Sequence, residues 1–430
     1  MAQTAPTPPS TAPPGSREAP AQPSDARPPG VMDLFRDASF RNYWAATFFY
    51  FLVFGAQRFA FVLLVLELTE RAGLAGAVGF ALGIPAFFVT IPAGVWADRM
   101  DRRRMVVVAN VAGAAVLTVV AVLSWTGAMN AWFALATALA VGFATAAVQP
   151  PLTAIVQMIV PTERLMNGIV LRTMGQNLAQ FFGTVFAGGA IALFDFGGAF
   201  ALQASLYLVA VAFMLGVRLE RPAQPAARPG MREAATEGMR FVFGDPALRG
   251  LVIVSIFTGL FMLGPTFTLI PEVARTKLGV GPALNGLLLA YTSIGMLAMS
   301  IFLVTRREMT GKGNVFVTNL LVAGPVICVL GLSPWYAFTA VVMVVWGLGG
   351  GIYVNMNQTL IQSNTPNEMM GRVMSIYSLS IAGLIPLGAL LSGIGAELIG
   401  ADRYLVLSGV ILTGCAVWAF LTQHDLRALD

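Results

Sequence analysis

From Arg41 onward the chain alternates between long apolar runs and short polar breaks. Twelve runs reach about 20 residues, the length at which a helix crosses roughly 30 Å of hydrocarbon. They fall near residues 43–66, 74–97, 105–125, 131–155, 166–193, 199–217, 250–271, 284–304, 314–333, 336–357, 373–396 and 403–422. The pattern predicts an all-α membrane protein with twelve transmembrane helices. Residues 1–30 break it, with nine prolines, no aromatic residue and no β-branched residue except threonine. Such a segment buries too little surface to offset its ordering entropy, so residues 1–34 are expected to form a disordered Pro-rich tail. They also lack the basic start and apolar core of a cleavable signal.

The longest polar break, 218–249, joins a Pro-rich linker to a mixed-charge stretch expected to form an amphipathic helix. It divides the spans six and six, giving an N-terminal half at 35–217, a C-terminal half at 250–422 and a short tail at 423–430. An offset of 205 residues lays one half on the other without a gap: Gly142 falls on Gly347, Pro161 on Pro366 and Gly183 on Gly388. In that register VPTERL and TPNEMM occupy the same turn before a Gly-rich helix. Two pseudo-symmetric six-helix halves are the architecture of a carrier that binds its substrate where the repeats meet.

Composition sharpens this reading. Hydrophobic residues make up 57% of the 430 positions and charged residues 11%, against about a quarter charged in soluble domains. The formal charge of +5 does not point to nucleic acid, because the basic residues sit between apolar spans and form no groove-reading face. Their distribution gives a topology instead. Of 26 lysines and arginines, 21 fall in the tails and alternate loops on one side, four on the other, and Arg58 lies within a span. By the positive-inside rule both termini are expected in the cytoplasm, with the chain in a bacterial inner membrane. Cys328 and Cys415 lie in separate spans and His424 is the sole histidine, which leaves no disulfide framework, zinc site or Ser-His-acid set. No GxxxxGK[ST] loop is present. An enzyme is not expected, nor is a cofactor or a bound nucleotide.

The stretch GVWADRMDRRR (94–104) closes the second span with two acids and four arginines. Gly94 allows close helix approach, and Asp98 is placed to accept hydrogen bonds from the free amides at the start of the eleventh helix, near Gly371 and Arg372. A plainer role for Arg102, Arg103 and Arg104 is topological anchoring. Gly94, Ala97, Asp98, Arg99, Arg102 and Arg103 resemble the loop 2-3 signature of the major facilitator superfamily, which often carries glycine where this chain has Asp101. The stretches ALGIPAFFVTIPAGVWADRMDRRR, VPTERLMNGI and MMGRVMSIYSLSIAGLIPLGALL resemble, within that superfamily, the transmembrane secretion effector branch of siderophore and macrolide exporters. The resemblance implies that Gly94, Asp98, Arg99, Arg102, Arg103, Gly371 and Arg372 form a latch closing the two halves on the cytoplasmic side.

Arg58 lies about four residues past the middle of the first span, costly unless it meets water, a partner or an anion. It is a candidate substrate contact with Gln57 and Tyr50, snorkelling being the alternative. Arg172, Gln176 and Gln180 make a polar stripe at i, i+4, i+8, widened by Asn177; helix packing explains such a stripe equally well. Thr258, Tyr291, Thr292 and Trp346 are candidates for the opposite wall. No acid falls in the middle third of a span, and Glu67, at the end of the first, is the candidate for proton coupling. The leading expectation is a monomeric secondary exporter of small amphiphilic molecules, driven by a proton gradient and surrounded by membrane lipid. A nutrient symporter, a lipid flippase and a non-transporting receptor or scaffold remain open.

Overall fold

The computed structural model describes residues 31–89, 100–219, 231–305 and 311–429. Among these every regular element is a helix. Several polar breaks act as N-caps, each satisfying amides that the helix itself leaves free. α1 (Ala38–Thr69) starts where Asp37 accepts the Ser39 amide at 2.9 Å. α2 (Ala72–Val89) follows after a tight turn. α3 (Arg102–Trp125) begins on Asp101, which accepts the Arg103 and Arg104 amides at 2.9 and 3.3 Å; the residue that departs from the superfamily signature is a helix cap. α4 (Ala131–Ile159) is capped by Asn130, which accepts the Phe133 amide at 3.0 Å.

α5 (Leu165–Leu215) is 51 residues long, roughly 76 Å if straight and more than twice a bilayer's core. It is a hairpin. Asp195 leaves helical geometry at φ 57°, ψ −175°, and both ends return to the start of α1. Trp44 Nε1 donates to the Leu171 carbonyl at 3.0 Å, and Asn42 Nδ2 to the Gly216 carbonyl at 3.2 Å. Among the described residues eleven helices are long and apolar enough to span, α5 being one of them despite its fold-back at Asp195.

After α6 (Met231–Gly244), a helix in the break between the halves, come α7 (Pro246–Thr276), α8 (Pro282–Thr305), α9 (Lys312–Leu332), α10 (Tyr336–Ser363), α11 (367–399) and α12 (Ala401–Thr422). α7 widens into a π-turn at Gly259–Leu263 just before Pro265, and α11 does so at Leu379–Gly383 just before Pro386. Proline has no N–H to give to the preceding turn, and the extra residue absorbs the mismatch. The two widened turns pack together: a Cβ on Gly388 would lie 2.7 Å from the Gly259 carbonyl oxygen.

α1 is apolar all round and almost entirely buried, with Tyr43, Tyr50, Phe51, Phe59 and Phe61 in the core, as befits a helix surrounded by others. The halves meet at the face away from the chain termini. There Gly76 of α2 faces Gly393 of α11, and Gly188 of α5 faces Gly286 of α8. A Cβ on Gly76 or Gly188 would sit 2.5 Å from the carbonyl oxygen of Ala389 or Pro282. Only glycine permits this approach, the usual device for membrane helices. The face carrying the termini and most basic residues, called here the basic face, is different. Every hydrogen bond and ion pair between halves among the described residues lies at the opposite face.

Candidate functional site

Toward the basic face, no hydrogen bond or ion pair among the described residues joins the halves. Exposed polar side chains cluster on the helices there: Thr173 and Asn177 on α5, and Asn355, Gln358, Thr359 and Gln362 on α10. Polar groups within a span indicate a wet surface rather than lipid. Gln176 and Gln180 are half-buried on α5, and among the described residues the amides of Gln176, Asn177 and Gln180 have no hydrogen-bond partner. Arg172, the fourth member of the stripe, is tied into the N-terminal half, donating from Nη2 to Thr153 Oγ1 at 3.0 Å.

Arg58 is half-buried at the seam between the halves. Its guanidinium carbon lies 5.7 Å from the ring centroid of Phe267 on α7, within the range of a cation–π contact. No carboxylate or hydrogen-bond acceptor among the described residues meets this cation. Phe267 was not anticipated, since nothing in sequence ties a phenylalanine on the seventh span to an arginine on the first.

The other predicted contacts divide. Gln57 is buried, its Nε2 donating to Tyr207 Oη at 2.5 Å, and Tyr50 Oη donates to the Thr145 carbonyl at 3.1 Å. Both face the core of the N-terminal half, because neighbouring helices supply their partners. Thr258 and Thr292 are buried and bond back to their own helices, at Val254 and Leu289. Trp346 is buried too, lining a small separate cavity with Met262, Asn319 and Tyr353. Tyr291 is half-buried on α8. The ring brought onto Arg58, then, is Phe267, which was not among the residues expected on the opposite wall.

The expected latch is only partly in view. Gly94, Asp98 and Arg99 lie outside the described residues. Arg103 donates from Nη1 to the Leu215 and Val217 carbonyls at 3.4 and 3.1 Å, capping the end of α5 where the helix dipole favours a cation. Arg102 reaches Met158 Sδ at 3.4 Å. The eleventh helix begins at Asn367, earlier than its apolar run indicates, so Gly371 and Arg372 sit past the first turn, whose amides belong to 367–370. Arg372 pairs instead with Glu237 of α6 at 2.6 Å, and Gly371 is exposed.

At the opposite face, Arg71 binds Glu397 through Nη2 at 2.6 Å and Nε at 2.7 Å, and Arg275 pairs with Glu67 at 3.7 Å. Each half thus gives one acid and one base to the other. Sequence reasoning singled out Glu67 but not this reciprocity; its signal was the opposite charges at the ends of the first, seventh and eleventh spans.

Residues 30–430 match the family described as transmembrane secretion effector. The chain is 22% identical over 374 residues to macrolide efflux protein A of Streptococcus pyogenes, covering 85% of this chain and 92% of that one. It is 26% identical over 383 residues to the multidrug efflux pump Tap of Mycolicibacterium fortuitum, covering 86% and 92%. Among solved structures, it superposes on the nucleoside transporter NupG with a TM-score of 0.74 at 14% identity, covering 89% and 98%. A bacterial homolog of the human lysosomal transporter Spinster, in an inward-facing and unoccupied conformation, gives 0.73 at 16% identity, covering 92% and 99%.

Proposed function

The chain belongs to the transmembrane secretion effector family of the major facilitator superfamily, and from that footing we propose that it exports small amphiphilic molecules across a bacterial cytoplasmic membrane by alternating access. The distribution of 21 of 26 basic residues supports placing the basic face in the cytoplasm. The structure is then the inward-facing member of the cycle, open to load substrate from the cytoplasm or the inner leaflet. Macrolide and multidrug efflux among the relatives supports a bulky, largely apolar substrate bearing a few oxygens. The chain carries no nucleotide-binding loop, which leaves a gradient or a separate subunit as the energy source, and the proton gradient is the reading taken here.

One observation carries the substrate assignment: Arg58, at the seam with one face on Phe267 and no anionic partner among the described residues. A cation at this depth is stabilised by water or by an oxygen-bearing ligand, while the ring beside it offers apolar contact. Together they recognise an amphiphile. Arg58→Lys keeps the charge but loses the planar fork and should weaken recognition while sparing folding. Arg58→Gln should reduce efflux of acidic or oxygen-rich substrates by about tenfold or more, the value of a lost charge-assisted hydrogen bond of about 1.5–3 kcal/mol, and of neutral lipophilic ones far less. Efflux from vesicles, normalised to protein in the membrane, checks this. Equal losses for both classes would make Arg58 a packing residue, and no loss would move the binding site elsewhere.

A further inference from the structure

The reciprocal ion pairs at the opposite face enclose a fifth charge. Glu272 lies one turn before Arg275 on α7, and its Oε2 is buried with no hydrogen-bond partner. The charges acting on it are Arg275 of its own helix and Glu397 of α11. Beyond them α1 brings Glu67, the turn into α2 brings Arg71, and α8 contributes no charged side chain. α12 carries Asp402 and Arg403 in its first turn. Lys277, the next base along α7, is engaged elsewhere, donating to the Gly331 carbonyl at 2.8 Å. The cluster of Glu67, Arg71, Glu272, Arg275 and Glu397 therefore holds three carboxylates and two guanidiniums. With Arg71 on Glu397 and Arg275 shared with Glu67, Glu272 has no counter-charge of its own. A dehydrated carboxylate without a partner is costly; adding one proton removes the excess charge.

We propose that Glu272 is the site at which this carrier binds its coupling proton, and that it does so as the opposite face closes. When that face is open, Arg275 is released from Glu67 and is free to neutralise the ionised Glu272 three residues away on the same helix. As it closes, Glu67 of the other half takes Arg275, and Glu272 takes a proton from the opposite-face solution, forming an O–H bond on its carboxylate. Release of that proton to the basic face completes an exchange of one proton per cycle. Among the described residues no group of three or more His, Cys, Asp or Glu is arranged to hold a metal ion. This inference rests on the alternating-access reading but not on any substrate, so it is tested without one.

The test reads closure of the opposite face directly. Thr268, one turn from Glu272 on α7, is buried beside Gly79 of the other half, and becomes reachable only when the halves part there. In a chain with Cys328 and Cys415 replaced by alanine, a Thr268→Cys side chain is labelled with an impermeant maleimide from outside intact cells. Its rate is divided by that of an Ala128→Cys reference, at an exposed position on an outer turn, to remove the pH dependence of thiol chemistry. One proton bound on closing changes the closed-to-open ratio by up to about tenfold per pH unit. Labelling should therefore fall several-fold as the external medium is acidified. With Glu272→Gln, which carries no charge at any pH, it should be low and flat. Glu67→Gln leaves Arg275 to Glu272 in both states, so it should raise labelling and flatten the pH dependence as well. A flat profile in the chain retaining Glu67 and Glu272 would overturn the proposal even if Glu272→Gln fails to insert. So would a pH dependence that survives either Glu272→Gln or Glu67→Gln. Loss of efflux in the Arg58 variants with these profiles unchanged would leave the two readings separately decided.

Discussion

Single residues do three kinds of work here, and sequence reveals them unequally. Arg58 announced itself, because an arginine deep in an apolar run has few explanations. Its neighbour Phe267, 209 residues away, did not, since which aromatic faces it depends on how α1 and α7 cross. Tyr50 and Gln57 look like cavity residues from their spacing, yet Thr145 and Tyr207 satisfy them inside the N-terminal half; a polar group in a span has to be hydrogen-bonded, and a neighbouring helix serves as well as a ligand. Glycines are the third kind. At Gly188 a side chain would meet the Pro282 carbonyl at 2.5 Å only while the opposite face is closed. Gly188→Leu should therefore disfavour this state by about 1–3 kcal/mol, the usual cost of overpacking, a shift of roughly fivefold to a hundredfold. Labelling at Thr268→Cys from outside should rise accordingly, and an unchanged rate would mean that the seam yields without opening.

At the scale of elements, the spans were legible because few soluble folds tolerate twenty apolar residues in a row, and the fold-back in α5 because Asp195 interrupts that run. The π-turns were not legible. They arise where Pro265 and Pro386 deprive a turn of its donor while α7 and α11 pack together, and only the packing decides between a kink and a widened turn. These turns give each helix a place to bend. Pro265→Ala restores the donor and removes a residue that disfavours helix interiors by about 3 kcal/mol. Thermal stability in detergent should hold or rise while export slows; unchanged export would mean that α7 moves as a rigid rod. The latch belongs to this scale as well. Since the eleventh helix starts at Asn367, Asp98 is proposed to meet the amides of 367–370 when the basic face closes. Asp98→Asn should weaken that state by about 1.5–3 kcal/mol and hold the carrier open to the basic face, seen as faster labelling of a cysteine at Gln358 by a reagent added from that side. Labelling no faster than in the parent would reduce the 94–104 stretch to a topological signal.

For the whole molecule, the all-helical membrane fold was readable from the apolar runs, while one polar break and a weak repeat supplied the expectation of two halves. Which faces meet was not readable. That depends on glycine pairs and on reciprocal ion pairs whose partners lie more than 200 residues apart. The structure in hand shows one state, closed at the face where Glu67 pairs with Arg275 and Arg71 with Glu397, and a carrier has to open that face once per cycle. The decisive measurement is therefore export with that face tied shut. Glu67→Cys and Arg275→Cys, bridged by a short reducible bis-thiosulfonate in a chain lacking Cys328 and Cys415, should stop export completely, and reduction of the bridge should restore it to the level of the uncrosslinked variant. Export that continues with the bridge intact would contradict alternating access between these two halves.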